Sequence, residues 1–219
     1  MESNWDIQRS KSAYHFDNRT IDPRWDCVKG IGKFTGNWDL EVANAIETAR
    51  AATWRTRSKS GKPGKLVNEE EYDLVNVGAD PDMVFGHLEY KLQPIFEQMA
   101  RMIGLDNAES RVHVQWPGQV FIKHIDKLEK WAPDNPDSVA RFMIMLTDWE
   151  QGHFNSYGNY IHQFWKAGDI HTFEWKHVPH SSANAGHTPR VSLLTTGIIT
   201  DQTRAFLKQA ADAKEVLVG

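Results

Sequence analysis

The sequence predicts an α+β protein in which a block of short strands lies between amphipathic helices. From residue 111, apolar residues alternate with polar ones at a period of two, which is typical of strands with one buried face. On both sides of this block, apolar residues recur at spacings of three and four, which is typical of helices with one buried side. No apolar run approaches the length of a membrane span, so we expect no contact with a membrane.

The length and composition favour one compact domain. The chain has 219 residues, and we divide it into an N-terminal helical support region (1–110), a β-barrel core (111–200) and a C-terminal helix (201–219). The single cysteine, Cys27, allows no internal disulfide, and the first residues have no basic-then-apolar leader pattern. Both observations predict a soluble protein of the reducing cytoplasm.

The charge balance narrows the class of partner. The formal net charge is −4, which argues against a general nucleic-acid binder but leaves room for a local basic patch. Residues 55–65 are such a patch, with five basic residues, two glycines and one proline. This composition predicts a mobile loop, which is either a solvated surface segment or a lid over a carboxylate-bearing substrate.

Three helices are predicted outside the strand block. Asp39 is the predicted N-terminal cap of the first, which ends near Trp54 and carries Leu40, Ala43 and Ile46 on one side. The second begins at 81–82 and ends at Gly104, and Pro94 inside it predicts a kink or a split; its apolar side comprises Phe85, Leu88, Leu92, Ile95, Phe96, Met99 and Ile103. The third spans 203–216 after a cap at Thr200–Asp201, with Phe206, Leu207, Ala210 and Ala213 facing inward.

The strand block contains turn signals at regular intervals. Pro117-Gly118 separates a strand over 111–116 from one that runs through His124 and Asp126. Residues 141–146 predict a buried strand, and 154–165 predict a hairpin that turns at Gly158-Asn159. Further strands are predicted over 169–174 and 190–199.

The polar residues of this block predict a metal site. Because residues two apart on a strand face the same side, His124 and Asp126 can present an imidazole nitrogen and a carboxylate oxygen to one point. Two histidines and one carboxylate with open positions are the ligand set of non-haem Fe(II) oxygenases. His180 is our choice for the third ligand, while His171, His177 and His187 lie close enough in sequence to compete.

The ordered set of His-x-Asp, a distal His and an Arg-x-Ser pair resembles the 2-oxoglutarate- and Fe(II)-dependent dioxygenases. The resemblance covers roughly residues 111–200, and His180 fits its spacing best because Arg190 follows ten residues later. It implies a double-stranded β-helix, or cupin-like jelly roll, with flanking helices. It also implies that His124, Asp126 and His180 are the catalytic iron ligands and that Arg190 and Ser192 hold the distal carboxylate of 2-oxoglutarate, with O2 as the other co-substrate.

The activity that the resemblance implies is hydroxylation of an unactivated C–H bond with release of succinate and CO2. The run from Pro117-Gly118 to His124-x-Asp126 is similar to that of small prolyl and aspartyl/asparaginyl hydroxylases, so the implied substrate is an amino-acid side chain, free or in a peptide. Arg141 either holds a carboxylate of that substrate or is a surface residue at a strand end. The alternative is a non-catalytic cupin-like protein that binds Zn or Ni and has no need of Arg190 and Ser192. The sequence predicts no oligomeric state.

Overall fold

The computed structural model of the protein describes residues 28–51, 87–213 and 215–218, without the side chains of residues 122, 213 and 215–217. The predicted loop 55–65, Cys27 and the predicted helix start at 81–82 lie outside the described residues. No helix within these ranges is long and apolar enough to cross a membrane.

The described residues form three α-helices, two short 3-10 helices (Glu129–Trp131 and Pro136–Ser138) and eleven strands. The α-helices are α1 (Asp39–Ala51), α2 (Pro94–Ile103) and α3 (Asp201–Ala213). The strands are β1 (Val28–Thr35), β2 (His87–Glu89), β3 (Asp106–Gln115), β4 (Val120–His124), β5 (Val139–Met145), β6 (His153–Tyr157), β7 (Tyr160–His162), β8 (Asp169–Phe173), β9 (His180–Asn184), β10 (Arg190–Ile198) and β11 (Glu215–Leu217).

Two sheets build a barrel. The larger has the order β11-β1-β8-β5-β10-β3-β2, and the smaller has the order β4-β9-β6-β7. From β3 to β10 the chain passes repeatedly between them, so that β3, β5, β8 and β10 lie in the larger sheet and β4, β6, β7 and β9 in the smaller. Eight antiparallel strands wound in this way form a double-stranded β-helix, or jelly roll. The predicted fold is therefore confirmed.

The main hydrophobic core lies between the larger sheet and the helices, outside the barrel. Alternate residues of β3 and β10 face it, because side chains on a strand alternate between the two faces of the sheet. The core comprises, among others, Phe34, Val112, Val114, Phe142, Ile144, Ile170, Val191 and Leu193 from strands, and Ala45, Ala49, Phe96, Met99, Ile103, Phe206 and Ala210 from helices. The opposite faces of the same strands are left to line the barrel.

The predicted long second helix is wrong in its first half. Leu88 lies on β2, opposite His113 of β3, and α2 begins only at Pro94. Proline fits this position because the first turn of a helix leaves its N–H groups without intrahelical partners. Pro94 thus starts the helix instead of kinking it, and Gly104 ends it with φ 74°, as predicted.

The first helix buries only part of the predicted side, because Ile46 packs against the core and the other two predicted residues do not. Leu40 is 69% exposed and Ala43 is also exposed, whereas Ala45 and Ala49 are buried. The side chain of Asn37 accepts a hydrogen bond from the Asp39 N–H at 3.0 Å, so Asp39 lies inside the first turn and does not cap it.

The third helix is confirmed in its middle and wrong at its end. Phe206 and Ala210 are buried, and Thr200 Oγ1 accepts a hydrogen bond from the Thr203 N–H at 3.2 Å. The helix ends at Ala213, however, and residues 215–217 form β11, which pairs in parallel with β1. The free edge of β1 offers backbone partners that a helix would leave unused.

Strands from outside residues 111–200 extend the larger sheet. β1 and β2 come from the region predicted as helical support, β11 follows the last helix, and β3 begins at Asp106. The division of the chain into three regions stays a prediction.

Candidate metal and anion site

His124, Asp126 and His180 lie together where β4 ends and β9 begins. His124 is the last residue of β4 and its register partner on β9 is His180. Asp126 follows beyond the strand end, so it is not the strand residue that the sequence predicted, although it still faces the two histidines. Each side chain offers one ligand atom, and these atoms all lie within 4.8 Å of one another.

The carboxylate lies between the two imidazoles. Asp126 Oδ1 is 3.6 Å from His124 Nε2, and Asp126 Oδ2 is 3.5 Å from His180 Nε2. The two imidazole ring centroids are 4.3 Å apart. Two neutral imidazoles and a carboxylate are donors that divalent transition metals accept, so the residues present fit a metal of this class.

His180 is held in the form that binds a metal. Burial lowers the pKa of His180 to about 3, against the opposing effect of Asp126, so the imidazole is neutral. Its Nδ1 is 3.3 Å from the carbonyl oxygen of Val178. Because a carbonyl only accepts, Nδ1 donates this bond and the lone pair of Nε2 faces Asp126.

Asp126 is an ionised carboxylate in a buried place. Its side chain is 8% exposed, and burial by itself opposes ionisation. The Arg141 guanidinium and the two histidines outweigh this effect and hold the pKa of the Asp126 carboxyl well below its usual range. The Asp126 carboxylate therefore carries a negative charge near neutral pH and can bind a cation.

Arg141 is part of this group and not a surface residue. It is 6% exposed, its Nη1 donates to Asp126 Oδ2 at 2.6 Å and its Nε donates to Thr196 Oγ1 at 2.9 Å. The interpretation of Arg141 as a strand-end surface residue is wrong. These bonds use two of the five N–H donors of the guanidinium, so the interpretation of Arg141 as a ligand for a substrate carboxylate stays a prediction.

Arg190 lies deeper in the barrel and is 1% exposed. Its Nη1 donates to the Phe154 carbonyl at 3.3 Å and to the side-chain oxygen of Asn155. Within the described ranges no carboxylate pairs with it, and its Nε and the Ser192 hydroxyl have no hydrogen-bond partner. Burial lowers the pKa of Arg190 to about 10, so the guanidinium stays charged at neutral pH. A buried charge without a counter-ion is costly, which makes this place a candidate anion site.

The candidate anion site lies in the same barrel as the candidate metal group and is displaced from it along β6. On β6, Tyr157 is the register partner of His180, while Asn155, which bonds Arg190, lies two residues away. Two residues along a strand span roughly 6.6 Å. Arg190 and Ser192 are also two residues apart on β10, so both face the barrel interior.

The histidines that competed for the third ligand position lie elsewhere. His171 is 2% exposed inside the barrel, where its Nε2 is 2.8 Å from the Tyr157 hydroxyl. Burial, then His162 and Arg190, lowers the pKa of His171 well below its usual value. His177 and His187 are exposed. None of the three belongs to the ligand group.

The sequence did not single out Asn155 or Met143. Asn155 orients Arg190, and Met143 lies 3.9 Å through its sulfur from the Tyr157 hydroxyl. The period-two pattern of β5 and β6 is the signal that could have placed both inside the barrel. Asn159 is exposed, and Thr195 Oγ1 accepts a hydrogen bond from Ser110 Oγ at 2.7 Å.

Comparison with known proteins identifies no family. No family model matches the chain, and no curated protein matches it. The chain is similar to solved structures only at low sequence identity and low TM-score. A cupin 2 conserved barrel domain protein from Salinispora arenicola is 13% identical over 47% of this chain and 71% of its own, with a TM-score of 0.30. A predicted oxalate decarboxylase from Thermotoga maritima is 16% identical over 51% and 79%, with a TM-score of 0.34.

A third solved structure is a sugar phosphate isomerase of the cupin superfamily from Silicibacter pomeroyi. It is 14% identical over 44% of this chain and 54% of its own, with a TM-score of 0.33. Because these scores are low, the fold rests on the strand order of the two sheets and not on these likenesses.

Proposed function

We propose that the protein is an Fe(II)- and 2-oxoglutarate-dependent dioxygenase that hydroxylates an unactivated C–H bond of an amino-acid side chain. The observation that carries this proposal is the buried Arg190, which has no carboxylate partner in the described part of the chain and lies in the same barrel as the His124, Asp126 and His180 group. A candidate cation site and a candidate anion site in one barrel match a metal and a dicarboxylate co-substrate that binds beside it. The substrate is a free amino acid or a peptide.

The metal group has the donors that iron needs. His124 and His180 would each bind through a ring nitrogen and Asp126 through an oxygen, which leaves further positions of the metal for small molecules. Bound Fe(II) would supply oxygen activation coupled to decarboxylation of 2-oxoglutarate to succinate and CO2. The chain's own part is to orient the reactants and to exclude water.

Arg190 and Ser192 would bind the distal carboxylate of 2-oxoglutarate. A guanidinium grips a carboxylate through charge-assisted hydrogen bonds, and the Arg190 Nε has no other partner. Ser192 is 1% exposed, and its hydroxyl also lacks a hydrogen-bond partner. The Asn155 side chain and the Phe154 carbonyl accept hydrogen bonds from Arg190 Nη1 and hold the guanidinium in place.

The test is anaerobic addition of Fe(II) and 2-oxoglutarate to the metal-free protein. We expect a weak visible charge-transfer band of a chelated 2-oxo acid that requires both components and is lost in Asp126→Ala. In Arg190→Met, the 2-oxoglutarate concentration that gives half of the maximum band intensity should rise by about 30-fold or more. Iron should still be bound. Arg204→Met is the matched control, because Arg204 is exposed on α3.

Two outcomes would contradict the proposal. If iron binds and no band forms, the alternative of a cupin-like metal-binding protein without oxygenase activity becomes the better description. If the band forms at the same 2-oxoglutarate concentration in Arg190→Met and in the parent, the carboxylate is held elsewhere.

A further inference from the structure

The Asp126 carboxylate is shared between the candidate metal group and Arg141. Arg141 Nη1 lies 2.6 Å from Asp126 Oδ2, and its Nε is anchored on Thr196 Oγ1 at 2.9 Å. Both side chains are buried, at 7% and 8% exposure. Arg141 lies on β5, which is paired on both sides, with β8 and with β10. The guanidinium is therefore held in place by the sheet and by two bonded nitrogens.

This contact makes the two oxygens of Asp126 unequal. Oδ2 accepts a hydrogen bond from Arg141 and lies 3.5 Å from His180 Nε2, while Oδ1 lies 3.6 Å from His124 Nε2 and accepts no hydrogen bond from Arg141. Each carboxylate oxygen has about two lone pairs, so a cation that took both oxygens would have to share Oδ2 with the guanidinium. The same contact places one positive charge beside any cation in the group, and burial leaves this repulsion poorly screened.

We propose that Arg141 is a positioning residue for Asp126 that makes this carboxylate a one-oxygen ligand and weakens the affinity of the group for divalent cations. It also supplies the counter-charge that lets the carboxylate be buried before a metal binds. The inference rests on the metal group of the proposed function, but it does not require 2-oxoglutarate.

Two effects of removing Arg141 oppose each other. Loss of its charge removes repulsion and strengthens metal binding, whereas loss of its hydrogen bond frees the carboxylate to rotate and weakens binding. The first effect is the larger, because it involves a divalent ion at short range in a buried place, while a carboxylate side chain has few rotamers to lose. Neutral replacement of Arg141 should therefore tighten metal binding.

The test uses Co(II), whose absorption bands report its ligands. We expect titration calorimetry of the metal-free protein to give a dissociation constant at least about tenfold lower for Arg141→Gln than for the parent. Arg141→Lys keeps the charge, and its constant should stay within about threefold of the parent value. The Co(II) absorption spectrum should change in Arg141→Gln, where both oxygens can bind, and stay close to that of the parent in Arg141→Lys.

Arg111→Gln is the matched control for a general loss of positive charge. Arg111 Nη1 contacts Glu109 at 3.5 Å instead of Asp126, so its replacement should change the affinity less than Arg141→Gln does. Asp126→Asn should abolish Co(II) binding in each background.

The outcomes separate this inference from the proposed function. Equal or weaker Co(II) binding by Arg141→Gln overturns the inference, and no binding by the parent overturns both. Tighter binding by Arg141→Gln without any 2-oxoglutarate band supports the inference and overturns only the proposed function. If Arg141→Gln folds only with metal, its loaded form should release Co(II) to excess chelator more slowly than the parent, and equal or faster release overturns the inference.

Discussion

Arg141 and Arg190 are both buried in the barrel, and they differ in what balances their charge. Arg141 pairs with Asp126 at 2.6 Å. Arg190 bonds only to a carbonyl and an amide oxygen among the described residues, and its Nε is left without a partner. A buried charge without a counter-ion is costly, so Arg190 favours the binding of an anion, whereas the charge of Arg141 is already balanced. An anion is expected at Arg190 and not at Arg141.

Arg190→Met should leave the ligand-free protein as stable as the parent or more stable, because the substitution removes an uncompensated buried charge. Added 2-oxoglutarate at about 100 times its dissociation constant should raise the melting temperature of the parent by roughly 5–10 °C. The variant should show no such rise, whereas Arg204→Met should respond like the parent. Thermal unfolding with and without 2-oxoglutarate measures both effects, and equal stabilisation of Arg190→Met would rule out Arg190 as the anion site.

The turn before β8 shows how one element fixes the position of another. Gly168 has φ +92°, its N–H donates to the Met145 carbonyl at 2.6 Å, and its carbonyl accepts from the Phe34 N–H at 2.9 Å. These bonds join β1 to the edge of the barrel. A Cβ at this position would lie 2.0 Å from the Phe34 carbonyl oxygen, so only glycine fits there.

Gly168→Ala should lower the free energy of unfolding by at least about 2 kcal/mol, because it adds both a backbone strain and a clash with main-chain atoms. Urea unfolding gives the measurement. Gly30→Ala on β1 is the matched control, since a Cβ there meets nothing within 4 Å, and its effect should stay within about 0.5 kcal/mol. A Gly168→Ala variant that unfolds at the same urea concentration as the parent would show that β1 tolerates a shift.

The molecule as a whole keeps several histidines neutral inside the barrel. Burial lowers the pKa of His153, of His171 and of His180, the last to about 3. In the unfolded chain each of these residues binds a proton near pH 6.5. Below that pH the unfolded chain therefore holds more protons than the folded one, and stability falls as the pH falls.

We expect the free energy of unfolding to decrease steadily from pH 7 to pH 5, by up to about 1.4 kcal/mol per pH unit for each histidine that stays neutral in the folded state. Below about pH 4 the loss should steepen, because the lowered pKa of Asp126 then adds its own contribution. Urea unfolding at several pH values measures this slope. His171→Gln should show a smaller slope, and a slope equal to that of the parent would contradict the role of His171.

Much of the site followed from short spacings in the sequence. Arg190 and Ser192 are two residues apart on β10, and this spacing predicts a shared face without knowledge of the rest of the fold. The same rule predicted a shared face for His124 and Asp126, but Asp126 lies beyond the end of β4, so its place beside His124 depends on the path of the chain after the strand. The partner of Arg141 could not be predicted in the same way, because Asp126 and Thr196 are 15 and 55 residues away along the chain. The roles of iron, 2-oxoglutarate and the substrate stay predictions.

The sequence by itself determined the strand block, the buried sides of the later helices and the order of the site residues, because each depends on a local period or on a turn residue. Only the tertiary structure decided which side chains meet across the barrel. It made strands of residues 87–89 and 215–217, since both segments find a free sheet edge, and it left Arg190 without a counter-charge. Sheet edges and charge balance depend on contacts between distant parts of the chain, which no local pattern records.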